Sequence, residues 1–415
     1  MAATLAAQAP IAGSGERAAS REAHVDALTG IRALAAGWVV SYHLWLIAAK
    51  PALAVPALHI DVTPLAAMGW LGVDVFFVLS GFVLTWQVLH DRRDAAPFAR
   101  GRFWRDAGAF VRRRVLRVYP AYFATLTVLL PLGWHGLTTP PDDLRDVALH
   151  LVMAHNLVPA YASTINGVYW SMPFEWQFYL VFPLLVLPLL AHRTAWLLAG
   201  GVGVAALAKL ISATVGPGAE IAQLPWRIDE FVVGMAAAAF AVRAGVPLRT
   251  RSALAWIGLG SLVVGAYAIA ARDPIWWQPG ALPFVRAAWI DVTVAALVIG
   301  LTATGGFVSR FFALSPLVWL GTISYSVYLW HAWVLQWVRA AVWKSHLPLS
   351  ALAELGVELV VVIAISALSY YAIEAPFHTP SRATSPRWRD SAVRTRVIVG
   401  WGLALLAIAV VHYRA

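Results

Sequence analysis

Arg32 and His43 lie eleven positions apart in one apolar run, and a helix over that run separates them by ~16 Å along its axis. Ionisable side chains are costly at membrane depth, so each one inside such a run marks a functional position by default. Asp74, Glu175 and His331 interrupt other apolar runs in the same way, and Arg114 and Arg117 stand where another begins. A buried histidine beside a carboxylate suits general-base chemistry on a hydroxyl, because the acid orients the imidazole and stabilises its charged form. Clustered arginines suit the phosphates of a large anionic donor, whose oxygens match the forked guanidinium. Transfer of an acyl group would use both, with Tyr, Trp or Ser side chains as donors to the developing oxyanion.

The elements that must position these residues are membrane helices. Of the 415 residues, 60% are hydrophobic and only 13% charged, more apolar surface than a soluble chain of this length can cover. A spanning helix takes roughly 20 apolar residues, and without water the backbone can satisfy itself only in helices or a closed barrel. The runs predict an all-α polytopic bundle of 10–11 helices, with spans near 27–49, 66–89, 115–134, 168–190, 194–214, 228–244, 252–271, 284–304, 313–339, 350–373 and 395–412. The weaker stretch 144–160 reads as an outer-face or re-entrant helix. Nine arginines (Arg92, Arg93, Arg100, Arg102, Arg105, Arg112, Arg113, Arg114 and Arg117) crowd the loop between the second and third spans. An excess of Arg and Lys marks cytoplasmic loops, so the N-terminus is expected inside. Counting depth from there gathers His43, Asp74, Glu175 and His331 in one layer. Arg32, Arg114, Arg117, Arg310 and Glu374 gather at the opposite face.

Each feature has a plainer reading. His43 could bond a backbone carbonyl, Asp74 could pair with a neighbouring helix, and His331 lies where a solvated imidazole is cheap. The arginine loop alone is a topology signal, and the glycines of Gly69-Trp-Leu-Gly72 suit close helix packing better than phosphate binding. The net charge of +10 sits in loops between apolar runs, which argues against a nucleic-acid partner. The chain has no cysteine, which excludes disulfides and thiolate chemistry, and no metal site is expected. Many of the 21 tryptophans fit interfacial belts.

Six segments together resemble the acyltransferase 3 family of membrane O-acyltransferases. They are Asp26-Ala-Leu-Thr-Gly-Ile-Arg32 continuing to Ser41-Tyr-His43, with the family's spacing of arginine, ten residues, histidine. Next come Gly72-Val-Asp74-Val-Phe-Phe-Val-Leu-Ser80-Gly81-Phe82 and Arg114-Val-Leu-Arg117-Val-Tyr119-Pro120. Tyr169-Trp170-Ser171-Met-Pro-Phe-Glu175-Trp-Gln-Phe-Tyr179, Ile323-Ser324-Tyr325-Ser326-Val-Tyr328-Leu-Trp330-His331 and Ile373-Glu374-Ala-Pro376-Phe377 follow in order. The resemblance covers residues 26–377. It implies His43 as the catalytic histidine, with Asp74 and Glu175 completing the catalytic group, and Arg32, Arg114 and Arg117 as acyl-CoA-binding residues. Tyr169, Trp170, Tyr328 and His331 are expected to support the site or line an acceptor pocket.

The expectation is therefore an enzyme of the inner (plasma) membrane with no permanently bound cofactor. It would move an acyl group from acyl-CoA, most often acetyl-CoA, to a hydroxyl of an envelope carbohydrate, a lipid-linked sugar or a secreted small molecule. Its partners would be the lipid bilayer, acyl-CoA and that acceptor. Residues 1–25 read as a cytoplasmic tail, 26–377 as the transmembrane domain, and 378–415 as a basic loop with one extra span. A transporter or flippase could use the same buried charges without chemistry.

Overall fold

The computed structural model describes residues 14–55, 60–90, 98, 101–215, 223–271, 282–303, 305–345, 350–379 and 386–414. Residues 1–13 of the expected tail, and Arg92, Arg93 and Arg100 of the arginine loop, lie outside the described residues. Eleven long helices build the described chain: α1 (Ser14–Ile47), α2 (Leu71–His90), α3 (Phe103–Trp134), α4 (Met172–Leu190), α5 (Thr194–Val215), α6 (Leu224–Arg243), α7 (Leu248–Ala270), α8 (Leu282–Leu301), α9 (Ser324–Lys344), α10 (Ala351–Ser369) and α11 (Ser391–Arg414). The only strands among the described residues are the antiparallel pair Ala54–Val55 and Ile60–Asp61. The chain is a multi-pass, all-α membrane bundle.

Nine of the described helical segments are long and apolar enough to cross a membrane. α6 and α9 fall short in hydropathy, not in length: they have 20 and 21 residues, or ~30 Å each. Their position explains why. α6 packs against α2, α4, α5 and α8, and α9 against α1, α3 and α10. A helix walled by other helices needs no lipid-compatible face, so α6 can bury Arg227, Asp229 and Glu230.

The central crossing is made of glycine. A Cβ on Gly81 of α2 would strike the Phe231 carbonyl of α6, and one on Gly234 would strike the Val78 carbonyl, so here the two backbones touch. Small residues allow this approach where lipid offers no hydrophobic drive. Gly69 and Gly72 lie as closely on the Trp38 and Ala35 carbonyls of α1, which bears out close packing for that motif.

Four segments differ from expectation. α1 starts at Ser14, so residues 14–25 of the expected flexible tail are helical and continuous with the first span. α3 starts at Phe103, a dozen residues before the apolar run, because hydropathy discounts a helix that carries arginines beyond the lipid. The expected span 313–339 is broken: helices Phe307–Phe312 and Ser315–Thr322 precede α9, which begins at Ser324. The stretch 144–160 holds a single eight-residue helix, Leu144–Leu151, followed by short turns. At ~12 Å this helix is too short to cross.

Candidate active site

The broken segment brings Ser324 beside Arg32, whose Nε donates to the Ser324 hydroxyl at 3.3 Å. Both line an internal chamber of about 70 Å³ together with Arg114, Arg117, Glu175 and Tyr328. The other walls are aromatic. The Arg114 guanidinium lies 5.4 Å from the Phe110 ring and 5.5 Å from Tyr179, and Arg32 lies 5.8 Å from Phe76. Aromatic faces hold guanidinium groups without neutralising them.

Carboxylates neutralise part of this charge. Arg117 Nη1 donates to Glu374 and approaches His378 Nε2 at 2.6 Å, while Ser326 holds the other Glu374 oxygen at 2.9 Å. Glu374 closes a π-helical turn, Tyr370–Glu374, after α10. One extra residue in that turn rotates a side chain off the regular helical register, a device frequent at functional sites. Glu175 accepts from Ser80 at 3.1 Å and from the Tyr179 hydroxyl.

A second, larger cavity of about 570 Å³ adjoins the chamber, and Arg114 and Arg117 line both. Its other basic walls are Arg112, Arg113, Arg394 and His378.

His43 lies three turns along α1 from Arg32, beside His331. The two rings stand 4.8 Å apart at 73°, with His331 Nε2 3.2 Å from His43 Nδ1. The surrounding acceptors assign the protons. His331 Nδ1 faces the Tyr328 and Val327 carbonyls at 2.8 and 3.1 Å, so it carries hydrogen, and neutral His331 offers a lone pair at Nε2. His43 Nδ1 faces that lone pair and the Val39 carbonyl at 2.9 Å, so it too carries hydrogen. The lone pair of neutral His43 then sits on Nε2, which has no hydrogen-bond partner among the described residues. Tyr328 links the histidines to the chamber. It lines the chamber wall, bonds Ser171 at 2.6 Å, and its ring lies 5.8 Å from His331.

The expected grouping of acids with His43 is corrected at two residues. Asp74 accepts from Arg227 Nη1 at 2.6 Å, and Arg227 also holds Glu230 at 2.8 Å, in a buried cluster beside the Lys209–Asp229 pair at 2.5 Å. Glu175 belongs with the arginines. The residue that orients His43 is His331, and no carboxylate is bonded to either imidazole among the described residues. Tyr169 lines neither of these two cavities: it is fully buried, its hydroxyl donating to Thr125 at 2.5 Å and its carbonyl accepting from His155 at 3.1 Å. Trp170 packs 5.4 Å from the Arg227 guanidinium.

Sequence reasoning missed Arg227, because the apolar run was drawn from residue 228. The three charges of Arg227-Ile-Asp229-Glu230 at the start of that run were the available signal. It also passed over Ser80, Ser171, Ser324 and Tyr179, all inside the quoted motifs. Among the described residues no three His, Cys, Asp or Glu side chains converge as metal ligands would.

The sequence profile described as an acyltransferase domain, that of the acyltransferase 3 family, matches residues 25–371. The peptidoglycan O-acetyltransferase OatA of Listeria monocytogenes is 23% identical over 85% of this chain and 56% of its own length. The acyltransferase MdmB of Streptomyces mycarofaciens is 29% identical over 76% of this chain and 80% of its own. The chain spans about 60% of the length of the first curated relatives it matches. No solved structure matches. With the family's motifs gathered around one chamber and its profile covering most of the sequence, the chain belongs to the acyltransferase 3 family of membrane O-acyltransferases.

Proposed function

We propose that this protein transfers an acetyl group from acetyl-CoA to a hydroxyl of a cell-envelope carbohydrate, with the arginine-bearing face in the cytoplasm of a plasma membrane. The observation that carries the reading is His43, whose Nδ1 contacts leave its lone pair on Nε2, joined through His331 and Tyr328 to an arginine-lined chamber. The donor's phosphates lie on Arg114 and Arg117, and its pantetheine arm runs inward past Arg32 toward Tyr328. The acceptor hydroxyl gives its proton to His43 Nε2 as its oxygen attacks the thioester carbon. The positive charge that His43 gains is shared through its Nδ1–H with the lone pair of His331. Tyr328 and Ser171, bonded to each other on the chamber wall, supply the hydroxyls that stabilise the oxyanion in this reading. Collapse breaks the carbon–sulfur bond, the thiolate takes the proton from His43, and ester and free CoA are the products. The carbohydrate acceptor rests on the naming of the Listeria relative as a peptidoglycan O-acetyltransferase.

The test is CoA release by the purified protein in nanodiscs, with acetyl-CoA and muropeptides or lipid-linked sugars as acceptors. His43→Ala should lower acceptor-dependent release by about 10²–10⁴-fold while leaving CoA binding and the melting temperature in place. Equal release from variant and wild type would overturn the role of His43. Acetyl transfer with a donor other than a CoA thioester would overturn the donor.

A further inference from the structure

Helix α11 lies beyond the residues matched by the family profile, which end at 371. Its first turn nevertheless reaches the larger cavity, where Ser391 and Arg394 form the wall together with Arg112, Arg113 and Arg117. Arg394 is only 6% exposed, yet its Nε and Nη1 have no hydrogen-bond partner among the described residues. A buried guanidinium with idle donors is costly unless something anionic meets it. The N-terminal turn of a 24-residue helix adds the positive end of its dipole. Among the described residues no carboxylate lines this cavity, while five arginines and His378 do. Such a wall suits a ligand with several negative charges, and forked guanidinium groups select phosphate oxygens among anions.

We infer that Arg394, on the added helix α11, completes the binding site for the phosphorylated nucleotide end of the acyl donor. The inference rests on the proposed CoA donor and deepens it. Arg114 and Arg117 line both cavities, so a ligand seated here continues into the chamber with its thioester end. That continuity favours the nucleotide over a phospholipid headgroup, whose acyl chains do not suit a chamber lined by Arg32, Arg114, Arg117 and Glu175. α11 thus acts as a clasp on the donor. It holds by charge and touches none of the reacting atoms, so Arg394 is a binding residue.

Equilibrium binding needs no acceptor and decides the matter. The full chain in zwitterionic nanodiscs is titrated with CoA and with pantetheine, which lacks every phosphate. Arg394→Gln should weaken CoA about tenfold, the effect of one charge-assisted hydrogen bond, and leave pantetheine unchanged. Arg394→Lys should recover part of the loss. Ser391→Glu, which places a carboxylate in the same wall, should weaken CoA as well. CoA binding equal to wild type in R394Q, with Arg117→Gln still impaired, would overturn the clasp while sparing the donor. Failure of the wild type to bind CoA would overturn the donor reading and the clasp with it. A loss in R394Q seen only when anionic lipid is added would assign the residue to headgroups and overturn the inference.

Discussion

Phe77 of α2 is the wall between two groups of buried ions that a hydropathy profile treats alike. On one side it lines the chamber, and on the other its ring lies 5.8 Å from the Arg227 guanidinium. The Asp74–Arg227–Glu230 group is bonded within itself, with one cation gripping two carboxylates and tryptophans packed around it. In the chamber Arg32 and Arg114 face aromatic rings and empty volume, and only Arg117 has a close carboxylate. Burial of charge is therefore not what distinguishes a site. The distinguishing feature is cations with no carboxylate in ion-pair range among the described residues, beside a space that a ligand can enter.

The comparison breaks first on stability. Arg227→Met leaves Asp74 and Glu230 buried without their cation and should cost about 3–5 kcal/mol, the usual result of removing one partner of a buried pair. The unfolding transition in detergent should drop, and the triple variant with Asp74→Asn and Glu230→Gln should regain much of it. An R227M protein that melts like wild type but has lost transfer would move the cluster into the active site.

The histidine pair sharpens the comparison on activity. His331→Phe removes the lone pair that faces His43 Nδ1 and should lower turnover about tenfold to a hundredfold, the value of one such hydrogen bond. His331→Gln, whose amide oxygen can accept the same proton, should retain more activity than H331F. Equal loss in both variants would argue that His331 only fills space.

The smallest effect concerns a third buried group, outside the spans. His155 stacks on His150 at 3.8 Å, and burial, reinforced by His150, lowers its pKa from 6.5 to about 2. It is folded neutral, so the unfolded chain binds its proton first. Stability is then full above pH ~6.5 and falls by about 1.4 kcal/mol for each unit below it, until the folded group itself titrates. Melting curves at pH 7.5 and 5.5 should show this slope, flattened in His155→Gln. An unchanged slope in that variant would place the acid sensitivity elsewhere.

Much of this architecture was legible from the chain, for a physical reason. Lipid demands long apolar helices, so ten of the eleven long helices lie close to an apolar run, and the eleventh, α9, occupies the later part of one. Depth was legible too: His43 and His331, placed in one layer, are hydrogen-bonding neighbours. Azimuth was not. Counting residues gives height along a helix but not the helix its side chain faces, so Asp74 was set beside His43 when its partner stands on α6. Arg227 was invisible for a related reason, since a charged residue at the edge of an apolar run is read as loop until packing shows it enclosed.

The glycine crossing carries one more consequence. Gly81 and Gly234 each lie seven residues, ~10 Å, beyond Asp74 and Arg227 on their own helices. At that level the two backbones touch, leaving no column for water between α2 and α6. A chain of ionisable groups at membrane depth is the raw material of a proton wire, and a wire here would short-circuit the energy stored across the bilayer. The absent side chains of two glycines are the insulation.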